Sequence, residues 1–365
     1  MKASGQPRAW LLCALLALGV ACNGDDGDDP DAGVAVDMAT SGDAGLPEGG
    51  TTKPEGGTTK PEGGTPKPDG GKPKPDKSVT PPKGKWVKIA SGTTKNLHGV
   101  WGSSATDVWF VGAAATILRW DGLALKQVSH GVSSASSLYG VWGSSANDVW
   151  AVGEGGLVLR YDGAKWTKVT TVTAETVNAV WGSSATDIFA VGDKGVAMIY
   201  NGKAWYYTTS KSAKNLLSVW GGGWDDVWTV GEAGTLMHYK NKNWAVLKKG
   251  ISASLNAVWG ANAKDVWVVG GAGETMHYNG TTWTRISAGK DSHLAAVWGS
   301  KAGPVWAVGT SGTSASYSGA IRHNAGGSWA KVSSPTKEAL TAVWGASASQ
   351  IWITGYAGTV LTYKP

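Results

Sequence analysis

The sequence predicts an all-β fold: a seven-bladed β-propeller of four-stranded blades, its last blade closed by an N-terminal strand at Trp86–Ile89. Three observations predict it. The motif L-x-x-V-W-G recurs at Leu97, Leu138, Val177, Leu216, Leu255, Leu294 and Leu340, at intervals of 41, 39, 39, 39, 39 and 46 residues. A fixed period near 40 marks propellers, solenoids or arrays. Each unit holds four short runs of β-branched and aromatic residues separated by Gly and Asp, the pattern of a propeller blade rather than of a helical repeat. The seventh unit stops after its third run, and a spare fourth run, Trp86-Val87-Lys88-Ile89, stands ahead of the first unit. That strand is expected to complete the last blade and to remove a free sheet edge.

The second unit shows the elements in order. Leu138 to Trp142 reads as the first strand and Gly143 to Asn147 as a turn. Asp148 to Val152 is the second strand, ended by Gly153, and Gly155-Gly156 turn the chain. Leu157 to Tyr161 alternates as the third strand. Asp162-Gly163 is a hairpin signal, and Trp166 to Val169 is the fourth strand. Trp205, Trp244, Trp283, Trp329 and Trp86 match Trp166 in the other units, with Leu125 the exception.

Composition agrees. The chain of 365 residues has 54 Gly, 22 Trp and only 2 Phe, with 16% charged residues. That excludes a long coiled coil and wholesale disorder. Two tryptophan positions recur, one through Trp101 and Trp142 and one through Trp109 and Trp150, with Phe189 replacing Trp in the third unit. Both rings are expected to fill the space between blades. Asp107, Asp148, Asp187, Asp226 and Asp265 end the first turn and are expected to cap it through backbone amides. Pro304 and Gln350 take their place in the last two units, which argues against a ring of metal sites. His238 and His277 share one position and read as third-strand surface residues.

The first 22 residues read as an export signal. Lys2 and Arg8 are positive, and Ala9 to Val20 is apolar but too short for a stable membrane span. Leu18-Gly19-Val20-Ala21-Cys22 resembles the lipobox of bacterial lipoproteins, which implies that Cys22 is acylated and becomes the mature N-terminus. The only other cysteine, Cys13, lies within the apolar stretch, so no disulfide or thiolate metal site is expected in the folded part. Asn23 after the cysteine favours the outer membrane over the inner. Residues 23–85 are an acidic stretch followed by KPEGGTT-type repeats, which cannot form a helix or a central strand and read as a disordered tether. The propeller is then residues 86–365, with 23 basic and 15 acidic residues. There is no Lys/Arg-rich run of the kind that binds nucleic acid.

The unit V-W-G-S-S-A-T-D-V-W-A-V-G, followed by Y-D-G-x-x-W, resembles the repeats of bacterial lipoprotein-type propellers. It is also similar to the repeat of the photosystem II assembly and stability factor family. The resemblance covers residues 86–365 and implies a binding or assembly platform. The sialidase-type box Ser-x-Asp-x-Gly-x-Thr-Trp is missing, with no arginine cluster or nucleophilic tyrosine to match sialidase chemistry. Tectonin-type lectins share the V-W-G run.

Positions that differ between units are free of the shared packing task. The inter-blade loops vary, and they share one face with the second-to-third-strand turns. On that face the second residue of each innermost strand varies, giving His98, Tyr139, Asn178 and Asn256 as candidate ligand contacts at the channel mouth. The sixth unit holds seven extra residues within Thr310 to Asn324, with Tyr317, Arg322 and His323 as further candidates. Trp224 breaks the first turn of the fourth unit on the opposite face and could stack on a sugar or anchor a partner. No catalytic triad, metal-ligand spacing or phosphate loop is present. The expected function is a monomeric, lipid-anchored scaffold of the cell envelope, without cofactor or metal, that binds an envelope protein. The alternative is a lectin for envelope or extracellular polysaccharide, and a third reading is a hydrolase or lyase at the channel mouth.

Overall fold

In the computed structural model, residues 83–132, 135–301, 303–313 and 316–365 are described; the signal segment, Cys22 and nearly all of the tether lie outside them. The described chain forms seven four-stranded antiparallel sheets. Blade 1 is Leu97–Ser104, Asp107–Gly112, Ile117–Trp120 and Leu125–Gln127. Blades 2 to 6 follow as 138–168, 177–207, 216–246, 255–285 and 292–332. Blade 7 takes three strands from 340–364, and its fourth is Lys85–Ile89. That closing strand begins one residue earlier than expected and pairs Trp86 with Tyr363 and Ile89 with Val360.

The first strand runs further than the sequence suggests. In blade 2 it spans Leu138–Ser145, not Leu138 to Trp142. The Gly143-Ser144-Ser145 segment stays paired through a bulge and meets Asp148, leaving only Ala146-Asn147 as the turn. In blade 6 the extra residues lengthen two strands instead of making a loop. Val305–Thr313 and Ser316–Asn324 continue past the blade end as a hairpin, with Thr310 opposite Gly319 and Gly312 opposite Tyr317.

The V-W-G motif is a joint between blades. The Trp101 ring of blade 1 lies where a Cβ on Gly143 of blade 2 would come within 2.5 Å of it. The same contact joins Trp142 to Gly182, Trp181 to Gly221, Trp220 to Gly260, Trp259 to Gly299 and Trp298 to Gly345. Trp344 on Gly102 closes the ring. Only glycine leaves room for the neighbouring indole.

The second tryptophan ring forms the core. Trp109, Trp150 and Trp306 are fully buried, as nearly are Phe189 and Trp228. Each packs edge-on against the fourth-strand tryptophan of the next blade. Trp109 meets Trp166 at 5.3 Å and 83°, Trp150 meets Trp205 at 5.7 Å and 81°, and Trp306 meets Trp86 at 5.3 Å and 87°. Edge-to-face geometry suits the aromatic quadrupole. Where Leu125 breaks the pattern, Trp120 from the neighbouring strand fills the space, 5.2 Å from Trp352. The core is therefore a set of intersheet layers, each shared by two blades.

The recurring aspartates do not cap their turns. Asp148 accepts hydrogen bonds from Ser144 Oγ at 2.6 Å, Trp150 Nε1 at 3.1 Å and Arg160 Nε at 2.7 Å. Asp107 holds Arg119 in the same way, and Asp226 and Asp265 hold His238 and His277. The third-strand partner then lies against the core tryptophan. Arg160 sits 5.0 Å over Trp150, and His238 stacks on Trp228 at 3.8 Å. His238 and His277 are therefore part of a buried-edge polar lock, not plain surface residues. The backbone cannot use these carboxylates because each sits in the paired strand, with its side chain aimed across the sheet.

Candidate functional site

Antiparallel alternation puts the inter-blade loops and the second-to-third-strand turns on one face, where the innermost strands begin. Two of the expected contacts there are already engaged. Asn178, 6% exposed, donates to Asp193 Oδ1 at 2.9 Å and to the Leu216 carbonyl of the next blade at 2.8 Å. Asn256 donates to the Leu294 carbonyl at 2.8 Å. Thr341 repeats this brace across the ring closure, bonding the Leu97 carbonyl at 2.6 Å. These side chains tie blades 3, 5 and 7 to the blade that follows each.

His98 and Tyr139 belong to a different arrangement. Their rings lie 5.2 Å apart, and the Tyr139 hydroxyl donates to Glu154 at 2.7 Å. Glu154 also accepts from the Ser137 amide. On its other side His98 meets Tyr356 edge-on at 6.4 Å. Burial pulls the His98 pKa down to about 4 against the opposing influence of Glu154, so the ring is neutral near pH 7. Burial pushes the Tyr356 phenol up, and neighbouring Tyr317 adds to the effect. Tyr317 projects from the blade-6 hairpin and is 45% exposed.

Tyr139, His98 and Tyr356 thus form an aromatic arc supplied by blades 2, 1 and 7, with exposed Tyr317 of the blade-6 hairpin near enough to Tyr356 to influence its phenol. Tyr356 was not among the expected residues. Its signal was available: it directly follows the Gly that ends the second strand, where Glu154, Asp193 and Glu232 stand in blades 2 to 4.

Arg322 and His323 lie in the body of the third strand of blade 6, not at the hairpin tip, and are 2% and 3% exposed. His323 faces Trp306, the position that His238 and His277 hold against Trp228 and Trp267. With Pro304 in place of the aspartate, both ring nitrogens of His323 lack a hydrogen-bond partner, and burial lowers its pKa. Trp224 is 52% exposed in the first turn of blade 4, on the face away from the arc. Among the described residues no cluster of His, Cys, Asp or Glu has the grouping of a metal site, and no helix is long and apolar enough to cross a membrane.

No family model and no curated protein matches the sequence. Solved structures do resemble the fold. A structure of YCF48 bound to D1 peptide is similar with a TM-score of 0.63 at 17% identity, covering 77% of this chain and 97% of that one. YCF48 from Cyanidioschyzon merolae is similar with 0.61 at 15% identity, covering 77% of this chain and 99% of that one. The WD40 β-propeller domain of Doa1 is similar with 0.64 at 11% identity, covering 76% of this chain and 95% of that one. At these identities the likeness is one of fold.

Proposed function

We propose that the protein is a binding scaffold, not an enzyme, that grips an extended protein segment on its variable-loop face. The aromatic arc of Tyr139, His98 and Tyr356, with exposed Tyr317 on the neighbouring hairpin, carries this reading. Tyrosines supply large amphipathic contact area at low conformational cost and concentrate binding energy at protein interfaces. A rigid ring holds them in place, so little order has to be gained on binding. The peptide named in the YCF48 structure supports the same use of the fold. In this proposal the chain acts as a monomer without cofactor. Acylated Cys22 fixes it to the cell envelope, the outer membrane in preference to the inner, and the tether holds the propeller away from the lipid.

The test is a peptide display screen against the full chain, followed by affinity measurement of the selected peptides. Tyr317→Ala combined with Tyr356→Ala should weaken them at least tenfold, while Trp224→Ala on the opposite face leaves them unchanged. Peptides that bind the double variant as tightly as the parent would refute the assignment.

A further inference from the structure

The blade-6 hairpin has a second consequence, independent of the aromatic arc. A cleft of about 470 Å³ opens between it and the connector to blade 7. Ser311 and Ser318 of the hairpin line one side, and residues 334–337 line the other. Three cationic side chains stand in its wall: Arg322, Lys331 and Lys337. Hydroxyls and cations around one concavity are the chemistry of anion recognition.

The charge balance of the wall points the same way. Arg322 is 2% exposed, and its guanidinium donates to Ser292 Oγ at 2.7 Å and, at 3.4 Å, to the carbonyls of Ala288 and Ile321. All three acceptors are neutral, and among the described residues no carboxylate lies within ion-pair distance of it. A buried positive charge without a counter-charge is costly. Asp291, bound 3.3 Å from Lys331, raises the Arg322 pKa less than burial lowers it. Lys331 is 70% exposed and pairs with Arg322 across the strands, so it can swing to an incoming group.

We infer that this cleft binds an oxyanion carried on a small hydroxylated molecule, of which a sugar acid is the simplest example. The anion would meet Lys331 and Lys337 directly and add to the counter-charge that Asp291 gives Arg322 only without contact. The serine and threonine hydroxyls would take the hydroxylated remainder. Blade 6 alone carries the lengthened hairpin that forms this wall, so the seven-fold repeat does not multiply the site.

Titration calorimetry of the full chain with glucuronate, inorganic phosphate and glucose tests the assignment. Arg322 is too deeply packed for its replacement to be a clean test, so Lys331→Gln combined with Lys337→Gln is the first variant. Glucuronate should bind in a salt-sensitive way and lose at least tenfold affinity in that variant. Asp291→Asn should strengthen binding severalfold, because it releases Lys331. Glucuronate binding well above phosphate assigns the ligand to saccharides; equal binding assigns the cleft to the oxyanion alone. Failure of both anions to bind, affinity unchanged in the double lysine variant, or glucose binding as well as glucuronate would each overturn the inference.

Discussion

Blades 2 and 6 solve the same packing task with different polar chemistry. Both insert a core tryptophan, Trp150 or Trp306, against the fourth-strand tryptophan of the adjoining blade. Blade 2 then locks its sheet with Asp148, which gathers a serine, an indole and an arginine. Blade 6 has Pro304 there, and its buried histidine is left without a partner. The difference teaches that the tryptophan contacts are the common requirement and the polar lock is an addition. Blade 6, which lacks the lock, also bears the hairpin, Tyr317 and the cationic cleft. The proposed sites include the blade where the repeat is least regular.

The joint that the two blades share should carry the largest effect. Gly143→Val places side-chain atoms against the Trp101 indole and should cost about 3 kcal/mol. Gly299→Val, against Trp259 in blade 6, should cost a similar amount. Denaturant unfolding of both variants would measure this, and a loss confined to blade 2 would contradict a common joint.

Acid sharpens the contrast next. His98 and His323 have folded pKa values below the ordinary value near 6.5. Their neutral forms therefore contribute stability that is fully present above about pH 6.5 and lost as the pH falls below it. The His98 part runs down to about pH 4 and amounts to roughly 3 kcal/mol. Unfolding midpoints measured from pH 7 to pH 4 should fall, and His98→Asn should flatten the curve.

The smallest effects concern the lock itself. Asp148→Ala strands three donors, but Arg160 is partly solvated, so a loss of about 2 kcal/mol is expected. Pro304→Asp should do the reverse in blade 6. A carboxylate in reach of His323 would add about 1 kcal/mol and raise the histidine pKa, read by NMR titration. A Pro304→Asp protein with an unchanged His323 titration would show that the two blades do not share a register.

The fold was legible because the same residues recur. Trp, Gly and Asp at fixed offsets reveal blade number, strand number and the closing strand without long-range information. The polar lock was harder to read, since its third-strand member alternates between Arg119, Arg160, His238 and His277. The seven-residue insertion also moved His323 out of line with His238 and His277, so it looked like a loop residue instead of a core one. Of the candidate contacts, Tyr317 and Trp224 are exposed, while Asn178 and Asn256 serve as braces. That role depends on a carbonyl of the following blade. Variability at a repeat position shows that packing does not fix the residue; it does not show what the residue touches.

The strand at Lys85–Ile89 gives the molecule an order in time. It is the first of the described strands in the chain, yet its partner is the last of them. The bond from the Gly84 amide to the Tyr363 hydroxyl spans 279 positions of sequence. The first strand can pair as it does here only after blade 7 has been made, whereas the other blades pair strands that adjoin in sequence. That pairing carries the largest loop-closure entropy in the fold, and it leaves blade 7 with four strands like the rest.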